Sequence, residues 1–312
     1  MRIAMIGAGG FADRHLRALR RLGGIELVGH VARTSSSAES AAAQWGGNAY
    51  TTCDELLEKE KPEAVWITVP PGRHGAIEES LIGAGIPFFV EKPLAADRDT
   101  PERIHTLLEE HDVIAAVGYH WRALDTLPSV REVLRDNGAQ MVIATWFGNT
   151  PPPPWWHKQR DSGGQIVEQA THVIDIARHL VGEATVTAAS SVPYKSRQYS
   201  EVDVSGASMA TLAFRSGAIG TVTATCVLSR TTNVGVEFVC DGMHITLRQD
   251  SVVFDSQVER RELRTQNDPI VAEDRAFIDA VEAHDPGKVY CDYRDALTTH
   301  RLTMDILDKS SD

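Results

Sequence analysis

Arg2-Ile3-Ala4-Met5-Ile6-Gly7-Ala8-Gly9-Gly10-Phe11-Ala12 is the stretch that decides the fold. Five residues of strand character run straight into a glycine turn, and an amphipathic stretch over residues 11–22 follows, closed by Gly23-Gly24. In this strand, turn and helix order the spacing GxGxxG/A has a physical meaning. Gly7 permits the tight turn, Gly9 lets the backbone approach a pyrophosphate, and Ala12 keeps the helix close to the strand. The helix start then offers free N–H groups and the positive end of its dipole to an anion. Gly7, Gly9, Gly10, Phe11 and Ala12 are therefore read as cofactor-binding.

Outward from this loop, apolar runs at residues 25–31, 64–69, 88–90 and 114–118 alternate with helical stretches, the pattern of βα units. The reading predicts a Rossmann-type, doubly wound parallel sheet over residues 1–120. After residue 120 the rhythm changes. A helix over 127–136 and a strand over 141–147 lead to Thr150, four prolines and Trp155-Trp156, read as a stiff loop. A helix over 165–181 precedes roughly ninety residues of Val/Thr/Ser/Ala alternation broken by tight turns, which predicts a mostly antiparallel sheet. Helices over 271–283 and 294–309 close an α+β domain assigned to residues 121–312. Val222, Ala224 and Cys226 alternate with Thr221, Thr223 and Thr225, so one sheet face suits the helices and the other a second subunit.

The composition is that of a soluble globular chain. Its 312 residues are 42% hydrophobic and 24% charged, enough for two cores with a ligand cleft between them. Against 43 acidic residues stand 31 Lys and Arg, a formal charge of −12 that repels nucleic acid and obliges any anionic ligand to be held by local donors. The four cysteines form no CxxC pair and read as apolar fillers, and no metal site is expected. No apolar run approaches the ~18 residues of a membrane span. The glycines with Asp13 and Arg14 fit a strand and turn rather than a signal peptide, so the cytoplasm is the expected compartment.

The end of the second strand indicates which dinucleotide. A carboxylate about twenty residues beyond the glycine loop would grip the ribose 2′-hydroxyl of NAD. That place holds Ala32, followed by Arg33, Thr34 and Ser35, which suit a 2′-phosphate. NADP(H) is expected in preference to NAD(H).

Two further motifs carry a resemblance. Thr68-Val69-Pro70-Pro71-Gly72-Arg73-His74 follows the third predicted strand, and Glu91-Lys92-Pro93 follows residues 88–90. With the glycine loop, they make the chain resemble the Gfo/Idh/MocA oxidoreductases over nearly its whole length. The resemblance implies that Thr68, Pro70 and His74 run beside the nicotinamide half of the cofactor. It implies that Glu91 and Lys92 stand at the cofactor, that Lys92 reaches substrate, and that the Lys92-Pro93 bond is often cis. It also implies homodimers or homotetramers through the C-terminal sheet. The family's second signature is matched by Gly163-Gly164 and then Glu168, His172 and Asp175, with glutamate at 168 where aspartate is commoner. Offsets of four and three predict one helical face for these three.

Moving a hydride off a secondary alcohol of a sugar, cyclic polyol or related compound needs a group that takes the hydroxyl proton. Histidine titrates near neutrality, and a lysine cation stabilises a developing alkoxide. His172 is assigned as acid/base, Lys92 as electrostatic anchor, and Glu168 and Asp175 as groups that orient the imidazole or bind substrate hydroxyls. Tyr119-His120-Trp121-Arg122 reads as cleft lining, with Trp121 on the cofactor and His120 and Arg122 toward substrate, Arg122 serving equally well against a structural carboxylate. Trp155, Trp156 and His157 read as the substrate-side wall, or as packed loop anchors. His15, His105, His111 and His284 read as solvated. Two competitors stand beside this reading. A metal-dependent enzyme using Glu168, His172, Asp175 and His179 would leave the glycine loop unexplained. A catalytically silent NADP-binding regulator would keep the loop but has no need of Lys92 and His172.

Overall fold

The computed structural model describes residues 1–311. The first βα units form as the sequence predicts: β1 (Arg2–Ile6), α1 (Gly10–Leu22), β2 (Glu26–Val31) and α2 (Ser35–Trp45). They continue through β3 (Asn48–Tyr50), α3 (Cys53–Glu60), β4 (Ala64–Ile67), α4 (Ala76–Gly83), β5 (Phe88–Val90), α5 (Asp99–Glu110) and β6 (Ala115–Val117). The sheet order is β3-β2-β1-β4-β5-β6 with every pair parallel. The order reverses at β1, which places the carboxyl ends of β1 and β4 beside the crevice where such sheets bind ligands. Strand β3, three residues long, is too short to read from periodicity.

The second sheet follows α6 (Leu127–Asn137) and β7 (Met141–Asn149). Three short helices intervene, α7 (Gln159–Ser162), α8 (Gly164–Glu168) and α9 (Thr171–Val181). Then come β8 (Ala184–Pro193), β9 (Ser205–Phe214), β10 (Ile219–Leu228), β11 (Asn233–Cys240), β12 (Met243–Leu247), β13 (Ser251–Ser256) and β14 (Arg260–Arg264). Strand order is β14-β13-β12-β11-β7-β10-β9-β8, antiparallel except for β7 with β10. Val222, Ala224 and Cys226 are buried on the face that α8 and α9 cover. On the other face the apolar side chains of Ile219, Met141 and Val239, in register across β10, β7 and β11, are exposed, as is Met209 of β9 opposite Thr223. No helix among the described residues is long and apolar enough to cross a membrane.

The chain closes with α10 (Pro269–Ala283) and α11 (Tyr293–Ser311). Residues 268–297, which sequence assigned to the second domain, belong to a compact unit with residues 1–95 and 99–123. The reason is apolar: Phe277 of α10 stands edge-on to Trp66 at 5.0 Å, with Phe89 and Met5 in the same cluster. Among the described residues the second unit comprises 96–98, 124–267 and 298–311.

Candidate functional site

In the first unit the glycine loop is shaped by close packing at one end and open space at the other. Gly7 has φ +114°, and a Cβ there would lie 2.4 Å from Thr68 Oγ1, so only glycine lets the loop pass over the end of β4. The Thr68 hydroxyl donates to the Ile6 carbonyl at 3.2 Å and pins that approach. A Cβ at Gly9 or Gly10, by contrast, would meet no atom within 4 Å. Neither packing nor backbone torsion demands glycine there, which leaves room for a ligand to approach the backbone. Gly9 caps α1 without a side-chain hydrogen bond, so the first N–H groups of α1 face the same space. These observations fit a dinucleotide pyrophosphate.

Lys92 belongs to the same unit. The Lys92-Pro93 bond is cis, and the ammonium lies 5.9 Å from the centre of the Phe11 ring, beside the glycine loop. Lys92 is 8% exposed.

At the end of β2, Arg33 is exposed and makes no hydrogen bond or ion pair among the described residues. Thr34 has another task. Its hydroxyl caps α2, accepting from Ser37 N–H at 3.2 Å and donating to the Ser37 hydroxyl at 2.8 Å. Between α1 and α2 a cavity of about 290 Å³ runs from Gly9 past His30, Ser36, Ser37 and Ser40 to Gln44. The serine ladder was legible in the sequence as a Ser-rich helix, but not as cavity lining.

Other residues expected at the cofactor or the substrate are buried or have partners within the protein. His74 Nδ1 meets Glu78 Oε1 at 2.6 Å with both side chains almost wholly buried, and the other Glu78 oxygen accepts from Gly75 N–H at 2.6 Å. The pair closes the first turn of α4. Trp121 is 2% exposed. Buried Arg122 is bonded to Asp295, the structural carboxylate among the two roles open to it.

His15 is the clearest correction. Read as solvated, it is wholly buried and stands between Glu91 and Asp274. No local signal could show this, because Asp274 is 259 residues away in the chain.

In the second unit the expected single helix over 165–181 is two. Ala170 N–H reaches back five residues to Gln165 O at 2.9 Å, and His172 N–H reaches back three to Gln169 O. This slip, beside which Gln169 Nε2 donates to Asn149 O, separates α8, which carries Glu168, from α9, which carries His172 and Asp175. The His172 ring, 5% exposed, stacks on Trp146 at 5.8 Å and 20°. Glu168 Oε2 accepts from Trp156 Nε1 at 2.7 Å, and Trp156 is buried against Val204 and Cys226. Asp175 is wholly buried and accepts from the Thr299 hydroxyl at 2.7 Å; the same oxygen of Thr299 accepts from Arg178. His157 Nε2 bonds the Pro151 carbonyl and its ring lies 4.3 Å from that of Tyr199. Trp155 is partly buried against the Trp156 cluster.

Comparison with known proteins agrees with this geometry. Residues 1–119 match the model described as oxidoreductase family, NAD-binding Rossmann fold, and residues 138–246 match the GFO/IDH/MocA C-terminal domain. The chain belongs to the Gfo/Idh/MocA oxidoreductase family. Among its relatives is 4-carboxy-2-hydroxymuconate-6-semialdehyde dehydrogenase of Sphingobium sp., 25% identical over 92% of both chains. Another is inositol 2-dehydrogenase of Rhizobium meliloti, 27% identical over 62% of this chain and 59% of the relative. A levoglucosan dehydrogenase in complex with NADH and levoglucosan shares the fold with a TM-score of 0.87, at 20% identity over 100% of this chain and 97% of that one.

Proposed function

We propose that this chain transfers a hydride between NADP(H) and a secondary alcohol or ketone carbon of a sugar, a cyclic polyol or a derivative. The observation that carries the reading is the pairing, within one unit, of a glycine loop open at Gly9 and Gly10 with the Lys92 ammonium 5.9 Å from Phe11. When bound, a nicotinamide dinucleotide supplies the hydride donor or acceptor. Lys92 holds the reacting oxygen and stabilises the negative charge that develops on it. His172, its ring plane set by Trp146, takes the hydroxyl proton in oxidation and returns it in reduction. Glu168, with one oxygen fixed by Trp156, holds substrate hydroxyls. The names of the inositol and levoglucosan dehydrogenases support the substrate class.

Arg33 supports the choice of NADP(H): its guanidinium is exposed, and Ala32 brings no carboxylate to repel a 2′-phosphate. The exposed apolar face of the second sheet is proposed as the contact between subunits of a homo-oligomer, with the mass in solution as its test.

The test is a screen that follows the absorbance of the reduced nicotinamide with sugars, polyols and their keto derivatives, using each dinucleotide. Lys92→Ala and His172→Ala should each lower kcat at least about a hundredfold while NADPH affinity stays within about twofold. Normal turnover in either variant refutes the assigned roles, and absence of any turnover across the panel favours a binding protein. Arg33→Ala should reduce the preference for NADPH over NADH about tenfold or more.

A further inference from the structure

Three carboxylates and one imidazole share a part of the first unit from which water is excluded. Glu91, at the end of β5, is 5% exposed, Glu273 of α10 is 4%, and Asp274 of α10 and His15 of α1 are both 0%. His15 Nε2 lies 2.9 Å from Glu91 Oε1 and His15 Nδ1 lies 2.8 Å from Asp274 Oδ1. Trp66 Nε1 donates to the same Asp274 oxygen at 2.8 Å, and the Phe89 ring flanks the imidazole at 5.1 Å. Glu91 is held closely on its other side too, since a Cβ at Gly118 would fall 2.6 Å from its Oε1.

A neutral imidazole has one N–H. Set between two ionised carboxylates, it would oppose a lone pair to a lone pair on one side, whereas an imidazolium donates to both; burial raises the Asp274 carboxyl, against the charge and hydrogen bond of His15 and the bond from Trp66. Burial by itself lowers the proton affinity of His15, but the charge and hydrogen bond of Asp274, followed by those of Glu91, more than reverse this and hold it well above the ordinary value. Burial pushes the Glu91 carboxyl up, yet its bond to His15 and the charges of His15, Lys92 and His120 bring it below the usual range. Glu273 behaves oppositely: burial and then the charge of Glu91 raise it well above the carboxylate range, against weaker help from His15 and Arg14. An oxygen of Glu273 lies within 4.8 Å of both His15 and Glu91. With both nitrogens of His15 donating, no lone pair is left for a cation, so this group of four holds protons rather than a metal ion.

We propose that His15 is the positioning residue of the Lys92 turn. Gripping Glu91 from α1 and anchored by Asp274 of α10, it fixes the carboxylate one residue before Lys92 and so the place of the ammonium beside Phe11. The C-terminal return of α10 to the first unit thereby becomes part of the catalytic apparatus. The inference rests on the role of Lys92 proposed above, and it makes the proton on His15 a condition for turnover.

The test uses the full chain. Ring ¹⁵N–¹H spectra, with His15 assigned by its loss in His15→Gln, should show two N–H groups on His15 at neutral pH, and the alkaline fall of kcat should coincide with loss of the second. Asp274→Asn keeps an oxygen for Trp66 and His15 but removes the charge. It should move both transitions to lower pH by about one unit or more, while the KM for NADPH changes less than about twofold. His15→Gln, which retains one amide donor toward Glu91, should lower kcat about tenfold. A neutral His15 in the wild-type spectrum, turnover that persists after His15 has lost its second proton, or thermal stabilisation by Zn²⁺ that disappears in His15→Gln would each overturn the proposal. The spectra need no substrate, and if His15→Gln does not fold, through-space contacts between the His15 and Phe89 rings, 5.1 Å apart, assign the signal in the wild-type chain. Normal turnover in Lys92→Ala would instead break the assignment of Lys92 and leave the spectra of His15 as they are.

Discussion

At Gly9 and Gly10 a side chain would meet no protein atom within 4 Å, whereas at Gly163 and Gly164 it would lie 2.7 Å from Val167 Cβ and 2.4 Å from Gln159 Oε1. The torsions differ as well: Gly9 has φ −94°, ordinary for any residue, while Gly163 and Gly164 have φ of +73° and +72°. Both pairs open a helix, α1 and α8. The fold itself accounts for the second pair, whereas the first is accounted for by the ligand proposed above. A glycine that the protein's own packing does not require is therefore the more informative of the two about function.

Two carboxylates, one in each unit, differ in a similar way. Glu168 in the second unit has a donor supplied by Trp156, which sets its direction. Glu273 in the first unit has an oxygen with no hydrogen-bond partner in the protein, and burial and then the charge of Glu91 raise its carboxyl well above the ordinary range.

Four substitutions probe these contrasts. The largest effect is expected for Gly9→Val, which should weaken NADPH binding about a hundredfold or more with little change in Tm, because only the ligand occupies that space; a large fall in Tm with unchanged affinity would break the comparison. Gly163→Ala should do the reverse, costing about 1–3 kcal/mol of stability from left-handed torsion and the clash with Val167, with NADPH affinity preserved. Denaturant midpoints and cofactor titration separate the two.

Glu273→Gln should stabilise the protein at neutral pH by an amount on the order of 1 kcal/mol. The sign follows from its raised folded pKa. The contribution of the bound proton is fully present below the ordinary value of 4.5 and is lost as pH rises toward the folded value. The amide removes that loss, so Tm should rise at pH 8 and stay level near pH 4.5; a fall at pH 8 would show that Glu273 is folded as a carboxylate. The smallest effect is expected for Trp156→Phe. It keeps the ring in the Val204 and Cys226 cluster but removes the donor to Glu168, and should raise the substrate KM a few-fold, about 3 to 10, with a smaller change in kcat.

How much was legible in advance follows from the range of each interaction. The glycine loop, the parallel sheet and the second sheet with its exposed and buried faces were readable because strand periodicity and turn chemistry are local, whereas the cis bond at Lys92-Pro93 was expected only from the family resemblance. The break at Gln169-Ala170 was not. Residues 165–181 keep helical periodicity throughout, and the break lies where a side chain reaches across to Asn149 of β7.

The sequence by itself determined that a dinucleotide loop opens the chain, that Ala32 and Arg33 stand where a carboxylate would otherwise be, and that a lysine and a histidine are available for chemistry on a hydroxyl. These depend on residues within a few positions of one another. Only the tertiary structure decided that His15 is buried rather than solvated, that residues 268–297 return to the first unit, and that Asp175 is bound to Thr299. Each of those rests on desolvation and pairing between groups more than a hundred residues apart. The charge of a buried group is set by the neighbours that folding brings to it, and a linear pattern carries no record of them.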